Sequence, residues 1–162
     1  MLKIRALAAL AITLLVAGCT VFSPYSTQTR LELQLAASEQ LNPDINGRPS
    51  PIVLRLMELK NPVLFNTVDF FSLYEQPKVV LAPDLIAGEE LELRPGEQLQ
   101  LKLHVREGSR YVGVLAAYRD LPETKWRYVI QLVPGETNRT HLTLDHSGIH
   151  DGDAAFIQAD RQ

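Results

Sequence analysis

The sequence predicts a mainly β protein: a two-sheet antiparallel β-sandwich with a short helical insertion. Three observations predict it. Apolar and polar residues alternate with a period of two in several separate runs, the pattern of strands with one buried and one wet face. Turn signals built on Pro and Gly punctuate those runs. Only one stretch has helical spacing, so no series of crossover helices is present to build a parallel sheet.

Taken in chain order, Leu31, Leu33 and Leu35 alternate with Glu32 and Gln34 and make the first strand. Ile52 to Leu59 is more continuously apolar, as a central strand covered on both faces is. Residues 61–76 read as the helical insertion. Asn61 suits its cap and Pro62 its first turn. Leu64, Val68 and Phe71 then form one helical stripe, and Pro77 stops it. Phe65, Phe70, Phe71 and Tyr74 make this the most aromatic part of the chain, either closing one end of the sandwich or offering a contact surface.

Leu91 and Leu93 alternate with Glu90, Glu92 and Arg94, and Leu99 to Val105 repeats the alternation. Arg94-Pro95-Gly96-Glu97 lies between these runs and suits a type II turn. Tyr111 to Tyr118 is a second central strand. Trp126, Tyr128, Ile130 and Leu132 form one face of the next, and Leu142 and Leu144 of the one after. Glu107-Gly108-Ser109 and Pro134-Gly135-Glu136 punctuate them. A short final strand is expected at Phe156 and Ile157.

Ahead of the sandwich, residues 1–18 read as a secretion signal. Lys3 and Arg5 precede an uncharged run from Ala6 to Ala17, roughly 12 residues where a membrane span needs about 20. The run ends in Val16-Ala17-Gly18-Cys19, which resembles the lipobox of bacterial lipoproteins. Cleavage is expected between Gly18 and Cys19. Cys19 would then carry the covalent N-acyl and S-diacylglycerol lipid, and no other cofactor is expected. The chain has one cysteine, so no internal disulfide forms, and acylation removes a thiol that would be a liability in an oxidising periplasm. The bland alternative is an ordinary buried thiol beside an ordinary signal cut. Thr20 rather than Asp follows the cysteine, which by the enteric sorting rule favours the outer membrane. Residues 19–29 form the lipidated tether, rich in Ser, Thr, Pro and Gln, and residues 30–162 the sandwich domain.

Loss of Lys3 and Arg5 makes the formal net charge of −3 more negative. That balance argues against nucleic acid as a partner. The chain has no phosphate-binding Gly-rich loop, no Gly-x-Ser-x-Gly elbow and no zincin motif. It reads as not an enzyme, with no small-molecule substrate. His104 and His141 fall at solvent-facing strand positions. His146, His150, Asp151 and Asp153 are the only cluster resembling metal ligands, in what reads as a polar loop, and their spacing matches no known cage. Asn138-Arg139-Thr140 fits a glycosylation sequon that most bacteria do not use.

The segment that reads as functional joins the first two strands. Leu41 to Pro51 is far longer than a tight turn, and Pro43, Pro49 and Pro51 stiffen it. A stiff exposed loop loses less entropy on binding. Asn46-Gly47 suits a tight turn at its tip, and Arg48 would present a planar donor fork. The partner-binding candidates are Asp44, Ile45, Asn46, Gly47, Arg48, Pro49 and Ser50. The alternative is a long loop merely crossing between sheets.

The run from Asn42 to Leu59, with Asn46-Gly47-Arg48-Pro49-Ser50-Pro51 leading into Ile52-Val53-Leu54-Arg55-Leu56-Met57, resembles the signature of the outer-membrane lipoprotein of type VI secretion systems, the TssJ family. Leu64 to Tyr74, the Arg94–Glu97 turn and Tyr111 to Asp120 are similar in order, with Met57 where an aromatic is commoner. The resemblance implies a transthyretin-like sandwich with an added helical segment. It implies a structural role, anchoring the trans-envelope complex to the outer membrane. It also implies a partner, the inner-membrane scaffold protein, whose periplasmic C-terminal domain contacts the loop at residues 42–51. A periplasmic ligand-binding or carrier lipoprotein is the alternative, and would need an apolar pocket.

Overall fold

The computed structural model describes residues 28–152. Its strands are β1 (Arg30–Ala37), β2 (Ile52–Leu59), β3 (Leu85–Leu93), β4 (Gln98–His104), β5 (Tyr111–Ala116), β6 (Arg127–Gln131), β7 (Thr137–Asp145) and β8 (Gly148–Asp151). Three short helices follow β2: α1 (Val63–Thr67), α2 (Phe70–Glu75) and α3 (Pro77–Val80). One sheet has the order β4-β1-β7-β8 and the other β3-β2-β5-β6.

The alternation of leucines in β1 puts Leu31, Leu33 and Leu35 on the inner face, each at most 1% exposed. They meet Leu142, Leu144 and Ile149 of their own sheet and Leu54, Leu56, Val112 and Val114 of the other in one core. Leu99, Leu101 and Leu103 pair with the β1 leucines from the edge strand β4 and pack against that core. Burying apolar side chains of this size contributes roughly 1.5–3 kcal/mol each before the entropy of ordering is subtracted.

The two continuously apolar runs are the central strands β2 and β5 of the second sheet. They are largely apolar because both faces are covered, Arg55 and Glu58 being the charged exceptions in β2. Val112 and Val114 face the inter-sheet core, while Met57, Leu59 and Leu115 face outward into a second cluster with Phe65, Phe70, Leu73 and Leu81. Gly113 lets that helical cover approach. A methyl group added there would lie 2.8 Å from the Phe65 ring.

The insertion departs from a single helix over 61–76. Asn61 Oδ1 accepts the Val63 N–H at 3.0 Å, but the N-cap position falls to Pro62, one residue on, which offers no side-chain cap. The helix then ends at Thr67, and Val68 is extended. Asp69 restarts it by accepting the Ser72 N–H at 3.0 Å. A short carboxylate is more stable at a helix N-cap than inside a helix, because it bonds nearby backbone donors. Pro77 opens α3 instead of stopping the insertion, since its missing N–H costs nothing in a first turn. The break rotates the stripe. Phe65, Phe70 and Leu73 are buried, and Phe71 is 61% exposed.

Two arginines hold this cover on the sheet. Arg127 donates from Nη1 to the carbonyls of Phe65 (2.7 Å) and Val68 (3.0 Å) and stacks on Trp126 at 3.8 Å. Arg55 donates to the Tyr74 carbonyl, lies 4.1 Å over the Tyr74 ring and pairs with Glu90 at 2.7 Å. Helix C-terminal carbonyls lack internal donors, and a guanidinium fork meets both the need and the dipole.

Among the described residues every strand pairing but one is antiparallel; β1 and β7 run parallel. The reason lies in the connections. β7 does not return from β1 by a hairpin but arrives from β6 in the opposite sheet, and such crossings allow a parallel neighbour. The Arg94–Glu97 turn has its expected bond, Glu97 N–H to Arg94 carbonyl at 3.0 Å, and Gly96 takes φ 75°. It carries the chain from one sheet to the other and closes no hairpin, as do the turns at 107–109 and 134–136.

The segment from His146, expected as loop, supplies β8. One buried apolar side chain, Ile149, is too short a run to show alternation. The strand expected at Phe156 and Ile157 lies outside the described residues, as do residues 1–18 with Gly18, Cys19 and all of the tether before residue 28. Among the described residues no helix is long and apolar enough to cross a membrane.

Candidate partner-docking loop

The connection between β1 and β2 begins in the core. Leu41 is fully buried and Asn42 is 4% exposed. Asn42 takes φ 44°, a left-handed conformation that asparagine tolerates better than most residues. Its side chain ties the loop's legs down. Nδ2 donates to the Pro51 carbonyl at 3.0 Å, and Oδ1 accepts the Arg119 N–H at 2.9 Å. The Ser50 N–H donates to the Leu41 carbonyl at 3.0 Å. The loop therefore stands on a stapled base.

The tip has its own closure around Asp44. Oδ1 accepts the N–H groups of Asn46 (2.8 Å) and Arg48 (2.9 Å). The Asp44 N–H donates to the Arg48 carbonyl at 2.8 Å, and the Gly47 N–H to the Asp44 carbonyl at 2.9 Å. The turn spans 44–47, so Ile45 and Asn46 sit at the apex and Gly47, at φ 75°, closes it. The expected Asn46-Gly47 apex is displaced by one residue because the Asp44 carboxylate gathers the donors on both sides.

The closure presents Ile45 completely to solvent. Asn46, Gly47, Arg48 and Pro49 are exposed beside it, and Ser50 is half-buried with its hydroxyl 3.5 Å from the Arg48 carbonyl. The Arg48 guanidinium has no ion pair among the described residues. An apolar knob beside a free donor fork, on a braced loop, suits a protein surface better than a small molecule.

The Asp44 carboxyl is held below its ordinary range, chiefly by the Arg48 N–H, with the Asn46 N–H and the charge of Arg119 adding to it. A carboxylate with a lowered folded pKa contributes stability that is complete above its unfolded pKa and lost as pH falls through the folded value. The amide resonances of Asn46 and Arg48 should hold their positions from neutral pH down to about 4 and move only below that. Movement between pH 7 and 5 would contradict the Asp44 closure.

Among the described residues, His146, His150 and Asp151 do not converge. His150 Nε2 lies 2.9 Å from the Ser147 hydroxyl and 3.2 Å from Asp145 Oδ1. Asp145 also accepts the N–H groups of Ser147 and Gly148, which makes it the pin of the β7–β8 turn. Burial opposes its ionisation, but the Ser147 and His150 interactions together leave its carboxyl below the ordinary range. Asp151 receives the Tyr128 hydroxyl at 3.4 Å, His146 is exposed, and Asp153 lies outside the described residues. Among the described residues no three His, Cys, Asp or Glu side chains gather to hold a metal. His104 is exposed as expected, while His141 is half-buried against Gly152. Asn138 is a structural side chain, accepting the Val133 N–H at 2.7 Å and donating to the Arg30 carbonyl at 3.2 Å.

Residues 29–147 match the family described as type VI secretion lipoprotein, VasD, EvfM, TssJ. The chain belongs to the type VI secretion lipoprotein family. Among solved structures, the lipoprotein TssJ1 from Pseudomonas aeruginosa superposes with a TM-score of 0.74 at 36% identity, covering 76% of this chain and 94% of that one. Lip from Serratia marcescens, a membrane-bound component of the type VI secretion system, gives 0.67 at 27% identity, covering 75% and 96%. A chain of the structure named for the T6SS protein TssM C-terminal domain from EAEC gives 0.64 at 25% identity, covering 75% and 98%. No curated protein matches. The sandwich and the family itself are as the sequence implied, with the insertion helical but in three pieces.

Proposed function

We propose that this lipoprotein is the outer-membrane docking component of the type VI membrane complex, and that residues 42–51 grip the periplasmic C-terminal domain of the inner-membrane scaffold. The observation that carries the reading is the braced loop with Ile45 wholly exposed at its apex. The likeness to a chain solved under the name of the TssM C-terminal domain supports the choice of partner. The role is structural, without catalysis or a small-molecule substrate.

Calorimetry of the full chain in detergent against the scaffold's periplasmic C-terminal domain tests it. Micromolar or tighter binding that disappears when residues 44–50 are replaced by Gly and Ser supports the loop as the grip. Unchanged affinity after that replacement would remove the assignment.

The proposed attachment runs through the N-terminus. Signal cleavage between Gly18 and Cys19 frees Cys19 to carry the N-acyl and S-diacylglycerol lipid, and residues 19–29 span from the membrane to β1. Several acyl chains hold a protein where one does not. Cys19→Ser should leave a folded sandwich that fractionates with soluble periplasmic protein and no longer supports secretion. Retention of that variant in the outer-membrane fraction would contradict the anchor. A carrier role finds little support, since the interior between the sheets is filled by the leucine and valine core. The cleft of about 290 Å³ at the β3–β4 edge is lined by Glu58, Glu89, Lys102 and His104 along with apolar residues.

A further inference from the structure

Beside the braced loop lies a second feature that the loop's own geometry does not use. A cavity of about 390 Å³ opens between the loop base, the segment after β5 and the β7–β8 turn. Its lining includes Asp44, Tyr118, Asp120, Glu123, Thr124 and His146, with no lysine or arginine among the described residues. Tyr118 is 4% exposed, and among the described residues its hydroxyl has no hydrogen-bond partner; neither has the buried Thr124 Oγ1. Asp120 and Glu123 make no ion pair among the described residues. Arg119 is near enough to act on Asp44 but is not in the lining.

Unmet buried hydroxyls are costly, and each has lone pairs to offer. Three carboxylates add further acceptors and negative charge. An anion is excluded by repulsion, and an apolar group would leave the hydroxyls unmet. A metal ion would need convergent ligands, and none are gathered there among the described residues. Water can meet the hydroxyls, but only a donor-rich organic cation also answers the negative charge of the three carboxylates. We propose that this cavity receives one arginine or lysine side chain of the protein that docks on the loop. The inference rests on the docking reading and adds to it: Ile45 supplies the apolar contact, and the cavity beside it supplies the charged one.

The test compares the full chain with two variants, Asp120→Asn/Glu123→Gln and Tyr118→Phe, for affinity to the scaffold's periplasmic C-terminal domain at low and high salt. The carboxylate pair variant should bind about tenfold more weakly at low salt and lose most of its salt dependence. Tyr118→Phe should weaken binding severalfold while the free chain melts no lower than wild type, because a buried unpaired hydroxyl has been removed. A merely structural tyrosine would show the opposite pair of results. Unchanged affinity and salt dependence in both variants, with loop replacement still abolishing binding, would mean a water-filled cavity only and overturn the proposal while leaving the docking loop standing. Failure of the wild-type chain to bind the domain at either salt would overturn both.

Discussion

Ile45→Asp should weaken binding of the scaffold domain by about thirtyfold or more while leaving the thermal melt of the sandwich unchanged. The argument begins with exposure. Ile45 is fully solvent-accessible and touches no core residue, so changing it removes nothing from the folded chain. Its neighbours Asn46 and Arg48 take part in the tip through backbone groups held by Asp44, so the turn survives the substitution. In a docked complex, an apolar apex that enters a pocket is a hot spot, where truncation costs about 2 kcal/mol or more. Replacing it with a charge adds desolvation to that loss, and 2 kcal/mol alone corresponds to about thirtyfold in Kd. Calorimetry reads the affinity and circular dichroism the melt. Wild-type affinity in Ile45→Asp would show that the partner does not use the apex.

Phe65→Ala should destabilise the domain by about 3–5 kcal/mol, lowering its Tm by about 10 °C or more. Phe65 is the largest of the fully buried side chains and plugs the outer face of the second sheet. Its ring lies over Gly113, where no Cβ competes for the space. Removing the ring leaves a cavity between α1 and β5 that neither element can close. The Arg127 bonds to the Phe65 and Val68 carbonyls hold α1 in place above it. Gly113→Ala tests the same contact from the other side and should cost about 1–3 kcal/mol through overpacking. In the double variant the added methyl occupies part of the vacated volume, so the two losses should fall short of their sum. Additive losses would show that the ring and the glycine are not energetically coupled. Denaturant melts of the three variants decide it. Scaffold binding should persist in each below its transition, because Phe65 and the loop belong to different parts of the fold.

Much of the sandwich is legible along the chain. The leucine alternation of β1 names its buried face without ambiguity, because in a strand each second side chain points the same way. The continuous runs at 52–59 and 111–118 mark the central strands, since only a strand covered on both faces lacks a polar side. The helical insertion is legible as an aromatic-rich region but not as three pieces. A stripe of Leu64, Val68 and Phe71 fits one continuous helix equally well, and the Asp69 cap that breaks it competes locally for the same donors. The clamps Arg55 and Arg127 leave only a faint signal, an arginine within each of two largely apolar strands.

Of the docking loop, the sequence by itself determined its length, its stiffness and its tight tip, because proline, asparagine and glycine restrict their own backbones. It also determined which strand faces are buried, because periodicity is a local property. Only the tertiary structure decided that β1 lies parallel to β7 and that the Pro-Gly turns cross between sheets. It alone brought Asn42 to Arg119, across 77 positions, and so placed Tyr118, Asp120 and Glu123 beside the loop they would serve. A residue's periodicity records whether it faces water, and it carries no record of which distant backbone will meet it there.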